Sequence, residues 1–236
     1  MHRLALLLAM PAVLAAEPRL TILYHDRAPL YHLGHGGRLT GTVYANVRAA
    51  LDAAGLDAQF VSVPAKRQLA EVERNQAPVC ALGWLMTAER RRYARFSAPI
   101  HYERPWLVVT RRQHTVAVRQ LGALHALLPS DRLQLILLDG ASYGSYIDGL
   151  LHRQPAIRVT TDADNLLRML DAGRGDYTIQ PPDVLEHYLA THPESQLQSP
   201  MLADVIGEPL YLICSRRVDE DWLHRFNAAL KVKRPR

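Results

Sequence analysis

The sequence predicts an α/β protein of two lobes, each a mainly parallel sheet with helices on both faces, joined by two extended hinge crossings. Three observations carry this expectation. Short β-prone apolar runs alternate with helical periods twice along the 236 residues. No low-complexity or flexible linker separates the two halves. A last strand and helix near the C-terminus have no role in the second alternation, so they are assigned back to the first lobe.

Leu20–Tyr24 is a short apolar, β-prone run, and His25–Gly37 is a loop with Pro29 and three glycines. A helical period starts at Gly41, with Val43, Val47 and Leu51 four apart, and Gly55 stops it. Phe60–Val63 reads as a strand ended by Pro64, Ala65–Arg74 as a helix burying Leu69 and Val72, and Val79–Leu82 as a strand. The second alternation begins with the extended segment Trp106–Thr110 and the apolar strand Leu133–Leu138, long enough to be central in a sheet. A turn at Gly140–Ser145 leads to a helix near Tyr146, followed by a strand at Ile157–Thr160 and a helix at Asp162–Leu170. Tyr177–Ile179 is a strand, and Pro181–Pro182 opens a helix, where proline is tolerated in the first turn. Leu210–Cys214 is the returning strand and Asp219–Leu230 the terminal helix. Arg104–Thr110 and Val205–Tyr211 are the candidate crossings, and a cleft between lobes is a preferred place for a small molecule. The expected division is 17–104 plus 211–236 for lobe 1 and 105–210 for lobe 2.

Composition excludes several classes. With 48% hydrophobic and 22% charged residues the chain is neither disordered nor fibrous. The net charge of +5 is spread out apart from Arg90–Arg92 and the tail from Lys231, and aromatics are sparse, so no nucleic-acid partner is expected. Residues 1–16 have the form of a secretory signal peptide: Arg3, an apolar run from Leu4 to Leu14, then Ala15 and Ala16. That run is too short to span about 30 Å of hydrocarbon. A monomeric protein, free in an exported compartment, is the expectation. Cys80 and Cys214 could pair in an oxidising compartment. Their apolar, strand-like surroundings favour two buried free thiols instead. His25, Asp26, His32 and His35 share one loop, but no matching ligand set stands elsewhere, so no metal is expected.

One ordered set of motifs is specific. Pro64-Ala-Lys-Arg67 is followed by Cys80-Ala-Leu-Gly83-Trp84-Leu-Met-Thr87-Ala-Glu89-Arg90, and then by Phe96-Ser97-Ala-Pro99. Gly140-Ala-Ser142 follows a strand, and Ala172-Gly-Arg-Gly-Asp176 follows a helix. This set, spanning about residues 19 to 231, resembles the family 3 extracellular solute-binding proteins, the periplasmic receptors of polar amino-acid ABC importers. The variant with Pro-x-x-Arg and Gly-Trp looks like a divergent branch. The resemblance implies a two-lobed, type II-like binding-protein fold, no cofactor and no catalysis. It implies a small anionic or polar, amino-acid-like ligand, with a membrane ABC permease or a sensor receptor as partner.

The resemblance also places residues. Arg90 would grip a ligand carboxylate, a task that suits the planar guanidinium fork. Thr87 would cap the turn that holds it, with Glu89 beside it. Ser142 would face the anion at a helix start in lobe 2. Arg67 would line the cleft from the second helix. From their own positions at strand ends, Tyr24 and Trp84 are candidates for an aromatic wall, with Tyr143 a weaker one. The chain departs from the family where an ammonium-binding Asp is usual: the register puts Pro181 there, with Asp183 two residues on. An ordinary α-amino acid is therefore not the expected ligand. The rival class is a periplasmic dehydratase or lyase on the same fold. Glu89, Asp139, Glu208 and His25 are its candidate acids or bases, none with a motif behind it.

Overall fold

The computed structural model describes residues 20–152, 154–203 and 207–232. The expected signal peptide at 1–16 and part of the second crossing lie outside these residues. The chain opens with strand β1 (Leu20–Tyr24). The expected loop then holds a small hairpin, β2 (His32–Leu33) and β3 (Leu39–Thr40). Helix α1 (Thr42–Ala54) ends on Gly55 in the left-handed region, as its stop signal predicts. Strand β4 (Ala58–Ser62), helix α2 (Ala65–Arg74) and strand β5 (Val79–Trp84) complete the β-α-β-α-β order. Short pieces follow: α3 (Ala88–Arg91), β6 (Arg95–Phe96) and β7 (His101–Tyr102).

The second unit runs β8 (Leu107–Arg111), α4 (Thr115–Leu121), α5 (Leu124–Leu127), β9 (Ile136–Leu138) and α6 (Ser145–Leu151). It continues with β10 (Ile157–Val159), α7 (Ala163–Asp171), β11 (Tyr177–Gln180), α8 (Pro182–Thr191) and β12 (Leu197–Leu202). Strand β13 (Pro209–Cys214) and helix α9 (Glu220–Ala229) close the chain.

In the first sheet the order is β4-β1-β5-β13-β6, with β7 also on β13. The first three strands are parallel, and β13 returns antiparallel to β5. Alternation along β1 sends Ile22 and Tyr24 to the core under α1 and α9, and Leu23 to the core under α2. In the second unit β9 and β10 are parallel, while β8 runs antiparallel to both β11 and β12. A single parallel bridge, Leu135 to Tyr177, links the two ladders. Val108 and Val109 face opposite cores of this unit. Among the described residues no apolar core cluster mixes the two units: the buried members of two come only from residues 20–100 and 210–226, and those of the other two only from 106–203.

The crossings run side by side. Glu103 N–H donates to the Glu208 carbonyl at 3.4 Å. A Cβ on Gly207 would stand 1.8 Å from the Glu103 carbonyl oxygen, so only glycine lets the two segments touch.

The cysteines correct the expectation of free thiols: Cys80 and Cys214 form a disulfide. The reason is topological. Strand β13 lies antiparallel on β5, and the register sets the two residues opposite each other with Cα atoms 4.0 Å apart. A separation of 134 residues hid that adjacency. The bond closes a long loop, so in the chain-entropy model it stabilises by about 5 kcal/mol. Denaturant unfolding with reductant should show a clearly lower midpoint than without. Equal midpoints, together with two titratable thiols in unreduced, unfolded protein, would contradict the pairing.

Candidate functional site

Between the two units lies a cavity of about 140 Å³, roughly ten times what one water needs. It has room for a small metabolite. Strand β5 delivers its first wall. Its last residue, Trp84, donates from Nε1 to Gln68 Oε1 at 3.1 Å. Gln68 in turn donates from Nε2 to the Val63 carbonyl at 2.7 Å and approaches His25 Nδ1 at 3.2 Å. This buried amide thus fixes both rings. The bond assigns His25 Nδ1 as an acceptor and leaves the imidazole neutral.

Arg90 sits on that wall. Thr87 caps α3 as expected, accepting from the Arg90 backbone N–H at 3.2 Å. Glu89 is exposed and takes no part in the cap. The Arg90 guanidinium lies 4.9 Å from the Trp84 ring centroid and donates to the Leu85 carbonyl at 2.9 Å. Arg90 is only 8% exposed. Burial pushes its pKa down, and Tyr93 and Asp148 push it back up; an arginine so placed keeps its charge.

The floor is an ion pair. Arg27 donates to Glu103 at 2.5 Å, and Trp106 Nε1 donates to the other carboxylate oxygen at 2.9 Å. Burial pushes the Glu103 pKa up, while Arg27 and Trp106 pull it down. Tyr31 packs between Arg27 and Gly83. Gly83 has φ +76°, and a Cβ there would meet Tyr31 Oη at 2.5 Å. The glycine therefore makes room for a phenol.

The second unit supplies the facing wall. Tyr143 Oη accepts from the Leu138 N–H at 2.9 Å, which folds loop 139–142 back over the end of β9. Trp106 and Tyr143 meet edge to face at 5.5 Å. Ser142 lines the cavity, but its hydroxyl donates to Asp148, which also takes the Tyr143 N–H. The carboxylate of Asp148 thus occupies the helix start assigned to a ligand anion. Gln180, at the end of β11, also lines the cavity.

Of the sequence-predicted site residues, the structure brings Arg90, Trp84, Ser142 and Tyr143 to the cavity. Tyr24 is not among the lining residues; it packs into the core under α1. Thr87 acts through the Arg90 backbone. Arg67 points away, its side chain 71% exposed and 3.5 Å from Glu71, because its place on α2 faces solvent. Its neighbour Lys66 reaches across the cleft to Asp139 at 2.6 Å. Sequence reading missed Arg27, Tyr31, Gln68, Glu103 and Gln180. Gln68 alone left a signal, a polar residue one turn before Val72 on the stripe that α2 buries. Asp183 pairs with Arg104 and does not take the place left by Pro181, which precedes α8.

Two α/β units around a ligand-sized cleft, with paired crossings at its base, define a two-lobed ligand-binding protein. The chain belongs to the bacterial extracellular solute-binding proteins, family 3, whose model it matches over residues 20–233. No curated protein sequence matches it. Among solved structures it resembles a histidine kinase sensor domain with similarity to periplasmic binding proteins, with a TM-score of 0.73 and 16% identity over 91% of this chain and 89% of that one. It also resembles the arginine-, lysine-, histidine-binding protein of Geobacillus stearothermophilus, with a TM-score of 0.72 and 18% identity over 91% and 88%. An ancestral arginine-binding protein bound to glutamine matches with a TM-score of 0.70 and 17% identity over 90% of each chain.

The half-buried His25 generates a pH prediction. Burial, then the nearby Arg27, lower the His25 pKa from 6.5 to about 4, against the Gln68 hydrogen bond. The unfolded chain thus binds more protons between about pH 4 and pH 6.5. His25 stabilises the fold fully above pH 6.5 and loses that contribution as pH falls towards 4, up to roughly 3 kcal/mol. Thermal midpoints should fall from pH 7 to pH 4.5, and His25→Gln should flatten part of that fall. An unchanged slope in the variant would contradict the assignment.

Proposed function

We propose that this protein captures a small anionic ligand in the interlobe cleft and delivers it to a membrane ABC importer, and that it acts in the periplasm as a monomer without cofactor or catalysis. One observation carries the reading: a buried arginine, stacked on Trp84, lies in a cavity that both lobes line. Arg90 is the carboxylate anchor, with Trp84 its platform and Thr87 its positioning residue. Residues 17–104 plus 211–236 move as lobe 1 and 105–210 as lobe 2, closing around the ligand.

The ligand lacks the ammonium of an ordinary amino acid. Each carboxylate lining the cavity is engaged: Glu103 by Arg27 and Trp106, Asp139 by Lys66, Asp162 by the start of α7, and Asp26 by the Leu33 N–H. Only Glu103 and Asp139 meet a cation; Asp162 and Asp26 keep their charge, but both are exposed, so a buried ammonium would find no uncompensated carboxylate buried beside it. A membrane sensor is the alternative partner, since the same fold serves as a histidine kinase sensor domain. Deleting the gene separates the two: loss of ligand uptake supports the importer, whereas loss of a transcriptional response with uptake intact supports the sensor.

A thermal-shift screen against polar metabolites should find a carboxylate that raises the midpoint by several degrees. Arg90→Ala should cost about 3–5 kcal/mol of binding, more than a hundredfold in affinity. Calorimetry that shows micromolar binding of common amino acids, or an Arg90→Ala protein with unchanged affinity, would contradict the proposal. Turnover of the bound acid would contradict a purely binding role.

A further inference from the structure

We infer that the cleft holds a second, neutral polar subsite, formed by Tyr31 Oη from one lobe and Gln180 Nε2 from the other, which selects small oxo- or hydroxy-carboxylates. The inference deepens the proposed function and rests on Arg90 as the carboxylate anchor.

Tyr31 is 0% exposed and Gln180 3% exposed, and both line the cavity. Gln180 Nε2 has no hydrogen-bond partner among the described residues, and Tyr31 Oη, with the Arg27 guanidinium beside it, has no acceptor for its own hydrogen. Buried polar atoms are almost always paired, and an unpaired one stabilises nothing until a partner arrives. Here two such atoms reach one cavity from opposite walls. Each is held in place by the fold. Gln180 ends a strand whose four residues all pair with β8, and Pro181 follows it directly. Tyr31 lies over Gly83, where any side chain would collide with the phenol.

Charge narrows what the subsite takes. Arg27 lies beside Tyr31, but Glu103 neutralises it. A second carboxylate would therefore be buried with no free cation. An ammonium would be buried against a phenol, an amide and a balanced ion pair, while the uncompensated carboxylates of the cavity, Asp26 and Asp162, are exposed. A carbonyl or hydroxyl oxygen fits, because it accepts from both neutral donors and brings no charge. The aromatic edges of Trp84, Tyr143 and Trp106 suit an apolar body on the same molecule.

The test is calorimetry with two matched series on the purified protein. One is 4-methylpentanoate with its 2-oxo, 2-hydroxy and 2-amino derivatives, the last being leucine. The other is 3-phenylpropanoate with the same derivatives, the last being phenylalanine. In at least one series the oxo- or hydroxy-acid should bind about tenfold tighter than both the unsubstituted acid and the amino acid. Tyr31→Phe, which removes only the oxygen, and Gln180→Leu should each erase that gain and leave the unsubstituted acid unchanged. The comparison across ligands needs no variant, so it stands even if Gln180→Leu misfolds. Amino acids binding as tightly as the oxo-acids, no binding by any acid, or a gain that survives Tyr31→Phe would overturn the subsite. The two readings fail separately. Unsubstituted acids that bind and are lost in Arg90→Ala, with no gain from the second oxygen, leave the anchor standing without the subsite. Binding that ignores Arg90→Ala removes the anchor itself.

Discussion

A charge buried at the base of the cleft has to be answered within the protein, and the Arg27–Glu103 pair is where this fold answers it. Arg27 comes from the loop after β1, Glu103 from the position just before the first crossing, and the Trp106 indole from within that crossing. Glu103 is buried, with both carboxylate oxygens committed. Burial lowers the Arg27 pKa, and Glu103 and Tyr31 more than reverse it, so the guanidinium stays firmly charged. Removing either partner would strand a charge in the interior. The loop and the first crossing therefore keep one arrangement. The second crossing is held against the first by Gly207, which permits backbone contact with Glu103.

That pair also sets the chemistry above it. Because Arg27 is spent on Glu103, the cleft keeps one guanidinium for an anion, Arg90 on its Trp84 platform. Of the remaining carboxylates, Asp139 is paired with Lys66, while Asp162 at the start of α7 and Asp26 on the Leu33 backbone are exposed and lie outside the buried part of the cleft. What is left over is donor-rich and neutral. The family's usual acidic partner for an ammonium has become Pro181, and Asp183, the nearest substitute, is held by Arg104. Gly83 stands where Tyr31 needs room.

The parts of this arrangement that could be read in the sequence are those that depend on local order. The span of α2, the stop at Gly55 and the cap at Thr87 follow from periodicity, turn residues and one contiguous motif. Long-range pairing was not legible. Cys80 meets Cys214 only because β13 returns beside β5, and β8 becomes central only because β11 and β12 flank it. Tyr31 and Gln180 look like an ordinary loop tyrosine and a strand-end glutamine until the two lobes face each other. Arg67 and Lys66 show the limit of a motif: adjacent bases on one helix, of which the helical phase sends one to solvent and the other across the cleft.

The claim that the buried ion pair organises the cleft is tested most directly by a double-mutant cycle on stability. Glu103→Gln and Arg27→Met should each destabilise by about 3–5 kcal/mol, because each leaves the other partner uncompensated. The double variant should lose clearly less than the sum, with a coupling of 1 kcal/mol or more on the scale of about 0.5–3 kcal/mol seen for contacting residues. Losses that simply add in urea unfolding would contradict the account.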